Sequence, residues 1–381
     1  MTFANAINDS PIQHALDAQA IAVVRDLVAT ASVSGDESAA VGVFARHARA
    51  MGLDVEIDEA GNGHAVRAAA ARSIAPVREI VLLGHIDTVP GDIPVAIREG
   101  VLHGRGSVDA KGPLAAFLVA ASRAVLPDGV TLRVVGAVGE ETPLSPGARY
   151  IAPRLRPAAC IIGEPSGTTG VTLGYKGRLV MHVHVARDNA HTAGPDRSAC
   201  DDLVRLWGAV QERVASLNVG HTGAFETIQA TLRNLRSESD GLHDRAACVA
   251  GFRLPRWIDP MELENQLGEV VAQQAGTSQL KLRCEGHELA FATDRNDAVV
   301  RALSAAIREL GERPQPKLKT GTADLNVVAP VWKCPIAAYG PGDSSLDHTP
   351  REHLVLAEYL QSIRILTRAI ESLAAEIAAE S

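Results

Sequence analysis

Seven acidic or histidine side chains stand at or between the ends of apolar runs, where their chemistry suits metal binding or proton transfer. They are His85 and Asp87 in GHIDTVP, Asp109 in GRGSVDAKG, Glu140 and Glu141 in GEE, Glu164 in GEP, and His348 in DHTP. All offer nitrogen or oxygen and none offers sulfur, a set that suits a hard or borderline divalent cation such as Zn²⁺, Mn²⁺ or Co²⁺. Each motif alone is a weak signal, but the whole set is hard to explain as solvated loops. We therefore predict a metal centre.

The number of these groups favours a pair of ions. Five ligands can hold two cations about 3.5–4 Å apart when one carboxylate bridges them. Two ions so close repel each other, and a bridging Asp109 with terminal Glu141 and Glu164 would supply the compensating negative charge.

Two further carboxylates fit supporting roles. Glu140 stands beside a ligand, where it could take a proton from water. Asp87 lies two residues from His85, so both could face one side of an extended segment. A carboxylate there could accept the second ring N–H of His85 and fix its tautomer.

Short apolar runs must position these groups, and four of them recur along the chain: EIVLLGH, TLRVVGA, AACIIG and CPIAAYG. Continuous apolar runs are typical of strands buried on both faces of a parallel sheet. Such sheets bind ligands beyond the carboxyl ends of their strands. Helical stretches between the runs, such as residues 113–126 with Pro113 at the start, predict an α/β layered domain with a mostly parallel sheet.

Residues 177–286 have a different pattern. RLVMHVHVA alternates apolar and polar residues, as half-buried antiparallel strands do, and SACDDLVRLWGAVQERVASL is an amphipathic helix. AACVAGFRLPRW and SQLKLRCEGHEL predict two further strands. We therefore predict a catalytic domain made of residues 1–176 and 287–381, interrupted by a smaller α+β domain over 177–286.

Composition excludes several other function classes. The 381 residues predict two or three domains, and a net charge of −8 with 3% aromatic residues argues against nucleic acid or a membrane surface as a partner. Five widely spread cysteines without a C-x-x-C pair predict a reducing compartment. The first residues lack a signal-peptide pattern, and no apolar run reaches the length of about 20 residues that a membrane span needs. We expect a cytoplasmic protein.

Taken in order, GHIDTVP, GRGSVDAKG, GEE, GEPS and DHTP resemble the M20 family of co-catalytic metallopeptidases and deacylases over nearly the whole chain. The resemblance implies a catalytic α/β domain interrupted by a ferredoxin-like lid domain, through which two copies form a homodimer. It also implies two divalent metal ions, with Zn²⁺ expected and Co²⁺ or Mn²⁺ as alternatives.

The same resemblance implies a role for each metal-type residue. Two ligand sets would share one aspartate: His85, Asp109 and Glu164 for one ion, and Asp109, Glu141 and His348 for the other. Glu140 would be the general base, and Asp87 would orient the histidine beside it.

Within the family, GHIDTVPGDIPV, GVTLGYKGRL, KTGTADLNVVAPVW and AYGPGDSSLDHTP resemble the LysW-lysine and LysW-ornithine hydrolases. This implies release of lysine or ornithine from the glutamate side chain of a small acidic carrier protein, in lysine or arginine biosynthesis. Glu164, where peptidase branches tend to have Asp, also resembles the deacylase branch. A basic group of Lys176, Arg178, Arg253 and Arg256 could meet such a carrier, or could be ordinary surface charge.

Other segments match positions that contact substrate in the family. His191 in NAHTAGP would reach the neighbouring subunit's site and stabilise the oxyanion. Arg253 in FRLP would bind a substrate carboxylate, for which a guanidinium is well shaped. The Gly321–Thr322 turn in KTGTADLN would form a substrate loop, and Lys176 completes the predicted set.

Two alternatives stay open. A deacylase of the same chemistry would act on acetylornithine or succinyl-diaminopimelate. A non-catalytic binding protein on this scaffold should have lost ligands, whereas every expected ligand is present here. The motifs of serine hydrolases, P-loop proteins and dinucleotide-binding proteins are missing from the sequence.

Overall fold

The computed structural model describes residues 11–68, 77–191, 193–274 and 278–380. The first residues of the chain, on which the expectation about a signal peptide rests, lie mostly outside the described residues. By its internal contacts the chain divides into two units. The first contains Met1–Gly174, Thr293–Lys317 and Ala323–Ser381, and the second contains Tyr175–Ala292 and Leu318–Thr322.

Helices and strands alternate along much of the chain. The helices are α1 Pro11–Val28, α2 Ser38–Ala50, α3 Lys111–Arg123, α4 Pro146–Ile151, α5 Ala199–Leu217, α6 Pro260–Gln274, α7 Ala298–Glu309, α8 Asp324–Trp332 and α9 Leu356–Ala379, with a 3₁₀ turn at Ser344–Leu346. The strands are β1 Asp54–Ile57, β2 Gly63–Arg67, β3 Arg78–His85, β4 Ala96–Arg98, β5 Val101–His103, β6 Val130–Ala137, β7 Ala159–Gly163, β8 Gly170–Tyr175, β9 Gly177–Asp188, β10 Gln229–Ser239, β11 His243–Leu254, β12 Gln279–Glu288, β13 Phe291–Ala292, β14 Gln315–Lys319, β15 Ile336–Ala338 and β16 His353–Val355.

The central sheet of the first unit has the strand order β1-β2-β6-β3-β7-β15-β8. Strands β6, β3, β7 and β15 run parallel, whereas β1 and β2 add an antiparallel edge. The parallel strands β3, β7 and β15 are mostly buried, as continuous apolar runs require, and their core is shared with α1, α3, α7 and α9. The predicted α/β class with a mostly parallel sheet is confirmed.

Helix α3 connects the site to this core. Its sequence is apolar on every side, so eleven of its residues, from Lys111 to Ala121, are buried. The helix begins two residues earlier than expected and ends at Arg123. Because its first residue follows Asp109 by only two positions, the buried helix fixes the backbone where that aspartate stands.

The second unit is an antiparallel sheet of order β10-β11-β9-β12, built in the chain order β-α-β-β-α-β. One face of β9 and β11 is buried against α5 and α6, which explains the alternating pattern of RLVMHVHVA. Helix α5 starts at a capping box, in which the Ser198 side chain accepts the Asp201 N–H and Asp201 accepts the Ser198 N–H.

Several strands were not predicted. Strands β16, β5 and β4 form a separate small sheet, and β10 pairs along the edge of the second unit. The C-terminal helix starts at Leu356 instead of near residue 351, because residues 353–355 pair with β5. Among the helices that the structure describes, none combines the length and apolar character needed to span a membrane.

Candidate metal centre

Three neighbouring parallel strands bring most of the metal-type residues to one edge of the sheet. His85 ends β3 and pairs in register with Ala137, the last residue of β6. Gly84 pairs with Gly163, the last residue of β7, so Glu164 follows directly at the same edge. Glu140 and Glu141 follow β6 by three and four residues.

The turn before Glu140 depends on a glycine. Gly139 has φ +70, and a Cβ atom there would lie 2.7 Å from Cγ of Pro146. Only glycine adopts this conformation in this space at little cost, which explains the first residue of the GEE segment.

Asp109 lies between two histidines that are far apart in the sequence. Its Oδ1 is 3.2 Å from Nε2 of His85, and its Oδ2 is 3.0 Å from Nε2 of His348. The same nitrogen of His348 is 3.0 Å from Oε1 of Glu141. Ligand atoms of His85, Asp109 and Glu141 all lie within 4.8 Å of one another, which is close enough to hold a metal ion.

Two more carboxylates face His85. Oε1 of Glu164 is 3.9 Å and Oε2 of Glu140 is 4.0 Å from Nε2 of His85. His85 is 1% exposed, whereas the side chain of His348 is 51% exposed, so the cluster reaches from the sheet to the surface. The structure thus brings together all five predicted metal ligands, with Glu140 next to them.

Asp87 contacts more groups than the sequence suggested. Nδ1 of His85 is 3.1 Å from the backbone oxygen of Asp87 and 3.4 Å from its carboxylate. The carboxylate also accepts hydrogen bonds from the backbone N–H groups of Glu140 and Glu141, both at 3.1 Å, and from Oγ of Ser34 at 2.7 Å. Asp87 therefore fixes one strand end and the GEE turn together.

The charges of the cluster favour a bound cation. Burial, reinforced by Glu164, Asp324 and Glu141, holds the pKa of Glu140 well above its usual range. Burial raises the pKa of Asp109, but hydrogen bonds with His348 and His85 outweigh it, so that pKa is lowered. Hydrogen bonds with Asp109 and Glu141 raise the pKa of His348 to about 10. Closely packed carboxylates with two histidines form a donor set that a divalent cation would stabilise.

The predicted substrate residues lie in the second unit. Arg253, on β11, donates a hydrogen bond from Nη1 to Oγ1 of Thr322 at 2.7 Å. Oγ1 of Thr322 donates in turn to the backbone oxygen of Lys176 at 3.2 Å, and Gly321 has open space where a Cβ atom would stand. The structure therefore joins Arg253, Thr322 and the backbone of Lys176.

The side chain of Lys176 is buried and has partners within its own unit. Its Nζ donates to the backbone oxygen of Ala224 at 2.8 Å and to that of Thr227. Burial, together with the neighbouring Arg253, lowers its pKa to about 8. These contacts hold the segment before β10 in place, and a substrate contact for this lysine stays a prediction.

His191 lies in an exposed loop between β9 and α5. Its Nδ1 accepts the backbone N–H of Ala193 at 3.1 Å, and its backbone oxygen accepts that of Gly194 at 2.7 Å. This local turn holds the imidazole within its own loop, and its predicted role stays a prediction.

Two polar residues around the cluster were missed. Ser34 donates to Asp87, and the buried Glu352 accepts the backbone N–H groups of Val108 and Asp109. Neither belongs to a motif that identifies chemistry, and a lone Ser or Glu in a polar segment reads as surface. Only the fold shows that they face inward.

Comparison with known proteins places this geometry in a family. The model of peptidase family M20/M25/M40 matches residues 81–372. A [LysW]-lysine hydrolase of Deinococcus radiodurans is 46% identical over 365 residues, which are 94% of this chain and 98% of that protein. A putative [LysW]-lysine/[LysW]-ornithine hydrolase of Thermococcus kodakarensis is 38% identical over 94% of this chain and 93% of its own.

Solved structures show the same fold. An M20 metallo-carboxypeptidase of Sulfolobus solfataricus superposes with a TM-score of 0.75 at 15% identity, covering 93% of this chain and 99% of its own. A tripeptidase of Staphylococcus aureus superposes with a TM-score of 0.76 at 19% identity, covering 94% and 99%. The resemblance stated from the sequence is confirmed: the chain belongs to peptidase family M20/M25/M40 and is a hydrolase.

Proposed function

We propose that this chain is a di-metal amidohydrolase that releases lysine or ornithine from an N-acyl amide, the acyl group being a glutamyl side chain of a carrier protein. The observation that carries the proposal is the position of Asp109, whose two oxygens face two histidines at 3.2 and 3.0 Å. A carboxylate with one oxygen directed to each side is the group that bridges a pair of ions.

The residues present fit two divalent cations, because the donors are all nitrogen or oxygen and carboxylates outnumber histidines. We assign the two ions ligand sets that share one aspartate: His85, Asp109 and Glu164, and Asp109, Glu141 and His348. Zn²⁺ suits this mixture of donors, and Co²⁺ or Mn²⁺ are alternatives. When bound, such ions polarise the amide carbonyl and lower the pKa of a water molecule towards about 7.

The chain's own residues would then move the protons. Glu140 accepts a proton from the attacking water as the C–O bond forms, and it delivers that proton to the leaving nitrogen as the C–N bond breaks. Its position beside the predicted ligands, with Oε2 4.0 Å from Nε2 of His85, suits a group that must both take and return a proton. Asp87 keeps His85 and the GEE turn in place, and His191 of the partner subunit donates to the developing oxyanion.

The substrate assignment rests on the relatives and on Arg253. The Deinococcus and Thermococcus proteins are named for LysW-linked substrates. An amide of lysine or ornithine carries a free α-carboxylate, which the guanidinium of Arg253 can bind, while Thr322 and Gly321 line the same turn. Lys176 supports this turn through its backbone oxygen.

We also infer an arrangement for the whole enzyme. The catalytic domain would comprise residues 1–176 and 287–381, and residues 177–286 would form the lid through which a homodimer assembles. The β-α-β-β-α-β order of the second unit supports the ferredoxin-like lid. Relatives named for LysW-linked amino acids support a biosynthetic role in the cytoplasm.

A substrate panel on metal-loaded enzyme tests the proposal. Carrier-linked lysine and ornithine, N-acetyl-ornithine and succinyl-diaminopimelate would be compared by the rate of amine release. We expect kcat/KM for a carrier-linked substrate to exceed the others by at least about 100-fold, because contacts to the carrier add to those at the amino acid. Preferred hydrolysis of a free N-acyl amino acid would support the related deacylase instead. No amine release from any substrate would support the non-catalytic alternative.

A further inference from the structure

An ion pair between Arg105 and Glu352 contacts the backbone of a metal-type residue, Asp109, but neither member was assigned as a metal ligand, a base or a substrate contact. Nη1 of Arg105 is 2.7 Å from Oε2 of Glu352, and the two side chains are 14% and 1% exposed. Burying two charges is costly unless their remaining donors and acceptors are also satisfied. The other partners of the pair therefore show what it holds.

The second oxygen of Glu352 binds the backbone at the bridging aspartate. Oε1 accepts the N–H of Val108 at 2.9 Å and that of Asp109 at 3.1 Å. Hydrogen bonds to a charged acceptor are stronger than those between neutral groups. Each carboxylate oxygen of Asp109 faces a different histidine, His85 or His348. A shift of the Asp109 backbone would therefore move both oxygens.

The other end of the pair binds the segment that carries His348. Nη1 of Arg105 also donates to the backbone oxygen of Thr349 at 3.3 Å, and its Nε donates to that of Gly91 at 3.1 Å. His348 has φ +60, a left-handed conformation that is unfavourable for a histidine and needs support from its surroundings.

The backbone of Glu352 is itself held in place. The next residue, His353, starts β16 and pairs in register with His103 of β5. The carboxylate therefore extends from a small sheet towards Asp109, and one ion pair joins the two segments that carry Asp109 and His348.

We propose that Arg105 and Glu352 are positioning residues that set the separation of Asp109 and His348, and with it the affinity for the cation that these two share with Glu141. This inference rests on the two-ion site of the proposed function. The other ligand set depends less on the pair, because His85 and Glu164 are fixed by the register of β3 and β7. Loss of the pair should weaken the two ions unequally.

Metal titration of Glu352→Gln and Arg105→Met tests this inference without measuring activity. Metal-depleted protein would be titrated with Co²⁺ against a chelator, and the visible absorption bands of Co²⁺ would report each site. We expect the ion assigned to Asp109, Glu141 and His348 to bind about 10- to 100-fold more weakly in each variant, as loss of groups that orient metal ligands usually causes. The other ion should weaken less, because the pair supports only one of its three ligands, Asp109. The double variant should lose no more metal affinity than the single variant that binds the ion less tightly, because both substitutions break the same ion pair.

Glu79→Gln is a matched control. Glu79 and Arg133 form another partly buried ion pair, with a distance of 2.9 Å. Glu79 is the second residue of β3 and so stands at the opposite end of this strand from His85, and Arg133 lies in the middle of β6. This variant should bind both ions as the wild type does, even if its melting temperature falls.

Two results would overturn the inference: wild-type affinity for both ions in Glu352→Gln and Arg105→Met, or equal weakening in Glu79→Gln. If Glu352→Gln does not fold, Arg105→Met decides, because it leaves the contacts of Glu352 to the Asp109 loop in place. An inactive wild type would contradict the proposed function alone, since the titration can still be read. An active wild type with unchanged variants would contradict this inference alone.

Discussion

Glu140 lies next to the predicted ligands, but at more than hydrogen-bonding distance from the histidine that it faces. Its nearest histidine nitrogen, Nε2 of His85, is 4.0 Å away. We expect Glu140→Gln to keep both metal ions but to lower kcat by about 100-fold or more, because the amide cannot accept the proton. Metal content by mass spectrometry and kcat measured on the same preparation check this.

Two outcomes for Glu140→Gln would argue against this role. Retained turnover would show that another group accepts the proton. Loss of a metal ion together with activity would show that Glu140 is a ligand. Glu141→Gln is the informative comparison, since Oε1 of Glu141 lies 3.0 Å from Nε2 of His348 and its loss should reduce metal content.

Arg253 should act on binding more than on the chemical step. Its guanidinium is held by Thr322 at 2.7 Å, and a substrate α-carboxylate would add a charged hydrogen bond. We expect Arg253→Ala to raise KM by about 10- to 100-fold with a smaller change in kcat, as loss of a charged hydrogen bond predicts. Steady-state kinetics with a substrate and its α-carboxamide analogue check this.

The analogue identifies the group that Arg253 binds. For the wild type, KM for the carboxamide should exceed KM for the acid by the same factor that Arg253→Ala adds. For Arg253→Ala, the two KM values should be equal. Arg256→Ala, at an exposed neighbouring arginine, should discriminate between acid and carboxamide as the wild type does. If Arg253→Ala still preferred the acid by the wild-type factor, another residue would bind the carboxylate.

The sequence was informative about side chains at strand ends and uninformative about those acting on the backbone. Parallel strands end at one edge, so His85 and Glu164 could be expected to meet. Glu352 was missed because it binds backbone N–H groups, which no residue type reveals. Lys176 carries a charge that suggested substrate, yet its ammonium contacts backbone oxygens, a difference that depends on burial.

At the scale of elements, a buried network holds the segment that carries the GEE turn. Asn62 is 0% exposed; its Oδ1 accepts the N–H of Val138 at 3.0 Å, and its Nδ2 donates to the backbone oxygen of Gly147 at 3.2 Å. Nδ2 also donates to Asp58 at 2.8 Å, and Asp58 contacts His64 at 3.0 Å. The turn is therefore fixed from both ends by residues of β2 and the loop before it.

The ionised form of Asp58 should contribute to stability in a pH-dependent way. Burial raises its pKa, but hydrogen bonds from His64 and Asn62 outweigh burial and lower it. A lowered folded-state pKa gives stability that is present above the unfolded value of about 3.9 and is lost as the pH falls through the folded value. We expect Asp58→Asn to lower the free energy of unfolding by about 1–3 kcal/mol at pH 6, and by less towards pH 3.

Urea unfolding of the wild type and Asp58→Asn at several pH values measures this difference. Asp92→Asn, at an exposed position, is the control and should match the wild type throughout. A difference that stayed constant from pH 6 to about pH 3 would show that the shape of the side chain matters and its charge does not.

Elements with a clear period or a long apolar run could be predicted, and short ones could not. The runs of β3, β6, β7 and β15 predicted the parallel sheet because strands that are buried on both faces are mostly apolar. Strands β4, β5 and β16 have three residues each, too few for a period to show. Strand β10 is exposed along most of its length, so its sequence lacks the alternation that identified β9.

At the scale of the whole molecule, the proposal divides one active site between two subunits. The metal-type cluster belongs to the first unit, whereas His191 belongs to the second and is exposed. Suppose that the lid domain of one subunit supplies His191 to its partner. A substitution of Glu140 should then inactivate the site of the subunit that carries it, whereas a substitution of His191 should inactivate the partner's site. Mixing the two variants then distinguishes a shared site from a self-contained one.

We expect His191→Ala and Glu140→Gln to be almost inactive separately and to recover activity when mixed and allowed to exchange subunits. Half of the dimers would be mixed, and each would have one site with both Glu140 and the partner's contribution intact. Recovery should therefore approach about a quarter of the wild-type activity. No recovery, with subunit exchange shown by co-purification of differently tagged copies, would place His191 in the site of its own subunit, because a histidine acting within one chain cannot complement a base missing from the other.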